Sequence, residues 1–104
     1  FTDQTGVARS STITSASISV SGIDAAATIT VSGGEYSING GSFTSSAGTV
    51  ESGDTVRARH TSSANYSTVT NTVVTIGGVS DTFSSTTESE IIIPAYRWFR
   101  VPRR

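Results

Sequence analysis

The chain has no cysteine and no methionine, and leucine and lysine are missing as well. Without cysteine there is no disulfide framework and no thiolate metal site. Without leucine and lysine, two of the better helix formers are gone, and no 3.6-residue apolar period runs long enough to propose a helix. Charge is sparse: seven basic and eight acidic residues give a formal net charge of −1. That balance argues against a general nucleic-acid binder. No apolar run is long enough to span a membrane as a helix. Phenylalanine rather than methionine at the first position suggests a processed or excised chain, with any export signal lying elsewhere.

What remains is an alphabet of serine and threonine alternating with valine and isoleucine, punctuated by glycine. Ile18-Ser19-Val20 and Thr28-Ile29-Thr30-Val31 place one apolar residue inward for each polar one outward, the pattern of an antiparallel sheet with one wet face. A chain of 104 residues supports one domain. Residues 1–11 read as an edge strand or linker entry, with Gly6 permitting a bend. Strands are predicted near 12–21, 27–32, 54–61, 67–76 and 79–86. Ile13, Ala16, Ile18 and Val20 supply the apolar positions of the first of these; Val74 and Ile76, then Val79 and Phe83, point inward on the last two. Between Tyr36-Ser37-Ile38 and Ser42-Phe43-Thr44, the Asn39-Gly40-Gly41 stretch favours the positive φ angles of a tight hairpin turn. Six or seven short strands with turns at roughly 8–12-residue spacing predict an all-β, immunoglobulin-like antiparallel β-sandwich of about seven strands.

The segment after Thr87 breaks the pattern. Glu88-Ser89-Glu90 is followed by Ile91-Ile92-Ile93, Pro94, Tyr96, Trp98, Phe99 and four of the seven arginines. Residues 88–104 are therefore read as a C-terminal extension to a domain at 1–87. Ile91, Ile92 and Ile93 could add a strand to an exposed sheet edge, with Trp98 and Phe99 completing the contact in a homo-oligomer. Other readings stay open: an intramolecular last strand with a basic end, or docking of the arginines and aromatics on RNA or an anionic membrane.

Several residues carry chemistry in principle. The alternation puts His60, the one histidine, on the inward face with Val56 and Ala58, which predicts a packed neutral ring rather than a catalytic one. Arg57 and Arg59 share the other face, where they suit an anion or a glycan, or pair with acids such as Asp81. Tyr66, with Tyr36 and Phe43, could stack on sugars, although core or turn packing competes for aromatics in so small a domain. Asp54 and Asp81 read as turn caps. The acids are too scattered for a calcium hand, and neither a metal nor a cofactor is expected.

Within this frame, the run from Ile29 to Thr87, with "GGEYSINGG", "SGDTVRARHTSS" and "TIGGVSDTF" as its most specific pieces, resembles a bacterial immunoglobulin-like repeat. Residues 1–28 resemble the start of the same unit. Such repeats occur, often in tandem, in large secreted or cell-surface proteins. The resemblance implies a sandwich fold, an extracellular or cell-surface setting and neighbouring copies or adjacent domains as partners. It also implies a non-catalytic role as spacer, display or fibre module. The family has no shared site to carry over. A glycan-binding or adhesion module is the alternative reading, and an enzyme is the least favoured.

Overall fold

The computed structural model describes residues 1–90, and the expected assembly residues Ile91, Ile92, Ile93, Trp98 and Phe99 lie outside them. Alternation of β-branched and hydroxyl residues yields nine strands among the described residues, and no helix. They are β1 (Gln4–Val7), β2 (Thr12–Thr14), β3 (Ile18–Ser19), β4 (Ala27–Ser32), β5 (Glu35–Ile38), β6 (Gly48–Val50), β7 (Thr55–Thr61), β8 (Val69–Ile76) and β9 (Val79–Thr87). One sheet has the order β1-β9-β8-β4-β6; the other places β2 and β3 on one side of β7 and β5 on the other. The architecture is all-β and two-sheeted, as expected.

The first sheet is mixed rather than wholly antiparallel. β1 runs parallel to β9, pairing Gln4 with Ser85 and Val7 with Thr87. Three steps of β1 against two of β9 make a bulge, and Gly6 takes it up at φ 67°. The expected strand at 12–21 is divided in two. The hydroxyl of buried Ser15 accepts the Ala58 amide at 2.9 Å and donates to Ala16 O at 2.8 Å, so a side chain displaces part of the ladder. At Asn39-Gly40 the turn forms as predicted: both residues have positive φ, and Gly41 N donates to Ile38 O at 2.9 Å. Its return arm pairs with β5 only at Thr44, because the chain then crosses to the first sheet as β6.

Between the sheets lie Val20, Ile29, Tyr36, Val50, Val56, Ala58, Val74 and Phe83. Burying their apolar area is the main favourable term in the fold. Seven polar residues are buried with these eight, so almost half of the buried positions depend on internal hydrogen bonds. Ser62, for example, donates to Ala8 O at 2.6 Å and accepts from Ser11 N at 3.0 Å. Val79, expected inward, is 75 % exposed. It follows the parity of Phe83, but it lines an open groove with Ile18 of the facing sheet instead of packing into the core.

The two ends of the sandwich have distinct contents. At the lower end, Gly77 and Gly78, both at positive φ, turn β8 into β9. At the upper end, the chain leaves β9 through Glu88, whose amide donates to Val7 O at 2.9 Å and whose carbonyl accepts from Ser67 N at 3.0 Å.

Candidate functional site

The strongest concentration of chemistry is inside the molecule. His60 projects inward from β7, and Thr72 and Ser85 project from β8 and β9 of the other sheet. His60 Nδ1 is 2.7 Å from Thr72 Oγ1, and Nε2 is 2.6 Å from Ser85 Oγ. Thr72 Oγ1 also donates to Gly33 O at 3.0 Å. With the threonine proton used there, Thr72 must accept from Nδ1–H, and Nε2 must accept from the serine hydroxyl. The result is a closed chain of three bonds, Ser85 to His60 to Thr72 to Gly33, tying the two sheets together. The imidazole stacks on Phe83 with ring centroids 4.9 Å apart and an interplanar angle of 21°.

This arrangement needs a neutral ring. Burial lowers the His60 pKa below its ordinary 6.5. An imidazolium would donate from Nε2 to Ser85 Oγ, and the serine proton would then lack a described acceptor. The sign of the pH dependence follows. Below about pH 6.5 the unfolded chain takes up a proton that the folded ring resists, so stability falls as pH drops from there towards the lowered folded pKa. A His60→Phe variant should lose this dependence in pH-resolved chemical denaturation. A parent curve flat between pH 7 and 5 would show that the ring is not held neutral. Asp54 adds an acid-side dependence at lower pH. Hydrogen bonds from Asn39 Nδ2 and the Glu51 amide hold its carboxyl below 3.8, and that contribution disappears as pH falls through the lowered value.

Gly33 and Gly34 carry the chain from one sheet to the other directly over this network. A Cβ on Gly34 would stand 2.4 Å from Arg59 O and 2.6 Å from Thr72 Oγ1; one on Gly33 would stand 2.5 Å from Asn71 O. Only glycine fits so close an approach of backbone to backbone.

Outside, an open cleft of about 720 Å³ is lined by Thr12, Gly34, Glu35, Ser45, Arg59 and Thr61, among others. Arg59 is held at its edge: Nε and Nη2 both donate to Glu35 Oε1, Nε at 3.2 Å, and the guanidinium lies 4.1 Å over the Phe43 ring. Asp81, named as one acidic partner for Arg57 and Arg59 and as a turn cap, instead lies within β9 opposite Val74 of β8 and pairs with the Phe1 amino group. Cross-strand register makes the difference, because Glu35 stands directly opposite Arg59. Arg57 is exposed and forms no ion pair among the described residues. Asp54 does close a turn, accepting from the Glu51 amide at 2.8 Å and from Asn39 at 3.0 Å.

The three aromatics considered for sugar stacking do not form one platform. Tyr36 is buried and donates to Ser46 O at 2.7 Å, Phe43 lies under Arg59, and Tyr66 lies under Arg9 at 4.0 Å. No group of three or more histidine, cysteine or acidic side chains is placed to hold a metal among the described residues. No helix there is long and apolar enough to cross a membrane. The histidine's inward position was legible from alternation; its partners were not, since Thr72 and Ser85 lie on inward parity but nothing local links them to β7. No family model matches the chain, and no curated protein and no solved structure matches it.

Proposed function

We propose that this chain is a non-catalytic spacer module of a bacterial extracellular or cell-surface protein, built on an immunoglobulin-like sandwich. The observation that carries the reading is the parallel pairing of β1 with β9. It brings the chain in from the lower side and releases it at the upper end, so successive units joined through their termini extend along one axis. The strand order supports the immunoglobulin-like assignment: the last two strands and β4 form the run β9-β8-β4, facing a sheet centred on β7. The excursion through β5 to the second sheet and back to β6 departs from that pattern.

The pairing of Ser85 with His60 has the form of a nucleophile and its base, but Ser85 is 1 % exposed and Thr72 is 0 % exposed. With both hydroxyls buried this deeply, the network is read as a structural tie. The glycan-binding alternative has less to rest on, because the Arg59 and Tyr66 recognition groups are engaged within the chain.

A polypeptide carrying residues 1–90 in series tests the reading by small-angle scattering. Its maximum dimension should grow by about 30–40 Å per added copy, one strand length plus a junction. Units that fold side by side, with little growth in length, would remove the spacer function.

A further inference from the structure

The turn that follows β5 carries a reactive pair outside the histidine network. Of the three asparagines, only Asn39 is followed by glycine; Tyr66 and Thr72 follow the others. Asn39 and Gly40 are both exposed, with φ of 52° and 75°. Nothing stands within 4 Å of where a Gly40 Cβ would be, and the Gly40 amide makes no hydrogen bond among the described residues. Such a pair holds an electrophile and a nucleophile on neighbouring residues. They are the carboxamide carbon and the next main-chain nitrogen, which no side chain shields.

The fold restrains this pair. Asn39 Nδ2 donates to Asp54 Oδ1 at 3.0 Å, and Asn39 Oδ1 accepts from the Thr55 amide at 2.9 Å. Asp54 is anchored in turn, its other oxygen accepting from the Glu51 amide at 2.8 Å. The carboxamide is thus tied at both ends to the start of β7. Ring closure on the Gly40 nitrogen requires it to leave those partners. The peptide after it must also rotate, which strains the Gly41 N to Ile38 O bond of the turn. An exposed turn opens locally at less cost than unfolding the whole domain.

We propose that Asn39 is a self-modification site, converting through a cyclic imide with Gly40 to aspartate or isoaspartate when the Asp54 and Thr55 contacts to its carboxamide open. The Gly40 nitrogen attacks Asn39 Cγ. The N–Cγ bond forms, the Cγ–Nδ2 bond breaks, and Nδ2 leaves as ammonia with the proton lost from Gly40. Water then opens the imide at either carbonyl, giving aspartate or, with the chain routed through Cβ and Cγ, isoaspartate. Water is the one co-reactant. Neither product can restore the contact, since the Nδ2 donor is gone and a second carboxylate has entered beside Asp54. Asn39 is the leading cause of the lowered Asp54 pKa, so losing that donor and gaining a like charge both push the carboxyl up. Isoaspartate also lengthens the backbone of a turn whose register sets Ile38 opposite Val56. The modification loosens the β5–β7 pairing from its tip, whether or not the module is a spacer.

Peptide mapping by mass spectrometry, during incubation of the full chain in mildly alkaline buffer, tests the site. Acid should accumulate at Asn39 ahead of Asn65 and Asn71, preceded by the ammonia-loss imide. The chain unfolded in urea should convert at least about tenfold faster than the folded one, and a folded Asp54→Ala variant should gain about tenfold over the parent. Should that variant not fold, the parent in urea below its unfolding transition decides. There it should convert faster than its globally unfolded fraction can supply. Asn39→Asp, which mimics one product, should be less stable than the parent at neutral pH. That deficit should narrow as pH falls and a proton settles between the facing carboxyls. Several results would each overturn the proposal: equal rates in folded and unfolded chains, a folded Asp54→Ala chain as slow as the parent, or a folded rate no greater than global unfolding supplies. Conversion at Asn65 or Asn71 ahead of Asn39, or an Asn39→Asp chain as stable as the parent, would do the same.

Discussion

Replacing His60 by alanine is expected to destabilise the domain by about 3–5 kcal/mol, a large share of the 5–15 kcal/mol that holds a domain of this size together. Two losses combine. The ring stacked on Phe83 disappears from a site that is 5 % exposed, leaving a cavity between the sheets. Ser85, 1 % exposed, keeps a hydroxyl proton with no acceptor, since Nε2 at 2.6 Å was the only described one. Thr72 fares better, because Gly33 O still receives its proton. The melting temperature should fall by at least about 12 °C, on the scale of 4–8 °C per kcal/mol for small domains. Replacing all three side chains together, His60→Phe, Thr72→Val and Ser85→Ala, should recover most of the loss, since an apolar core of similar shape leaves few orphaned groups. A His60→Ala variant within about 1 kcal/mol of the parent would show that the network contributes little to the sandwich.

Gly34→Ala should be the second severe change, at about 3 kcal/mol, from a single added methyl group. Conformation is not the obstacle there, as Gly34 is absent from the positive-φ glycines. Space is. The new carbon would overlap the Arg59 carbonyl and the Thr72 hydroxyl, and the first of these is fixed by the β5–β7 ladder. Relief requires the crossover to move away from β7, which pulls Gly33 O from Thr72 and undoes one end of the histidine chain. Gly40→Ala is the informative control. Nothing lies within 4 Å of its Cβ, so only the φ of 75° opposes it, at about 1–2 kcal/mol. Equal effects at the two positions in denaturant titrations would mean that backbone preference, not close packing, governs the crossover.

Much of the framework was legible because it is written with a period of two. Ala27, Ile29 and Val31 marked one face of β4, Val56, Ala58 and His60 that of β7, and Asn39-Gly40 its own turn. The departures arise where long-range partners compete with local pattern. Ser15 broke a predicted strand by bonding to Ala58, a residue far along the chain. Val79 kept the right parity but faces an open groove instead of the packed core. Glu35 became the partner of Arg59 through register, which a list of acids does not contain. The same limit applies to the interior: that Thr72 and Ser85 face inward follows from parity, whereas their meeting at one imidazole depends on how two sheets are stacked.

The parallel alignment of β1 with β9 has a mechanical consequence. Tension applied between the entering and leaving chain pulls these two neighbouring strands in opposite directions along their length. Their mutual hydrogen bonds, with the Glu88 amide to Val7 O contact at the top, are then sheared together rather than peeled in turn. Rupture must break them at once, so the resistance concentrates in a short clamp at the upper end while the rest of the sandwich is shielded behind it. The lifetime under tension of a stalk made from such units would be set by the unfolding rate through that clamp, not by the total stability of the fold.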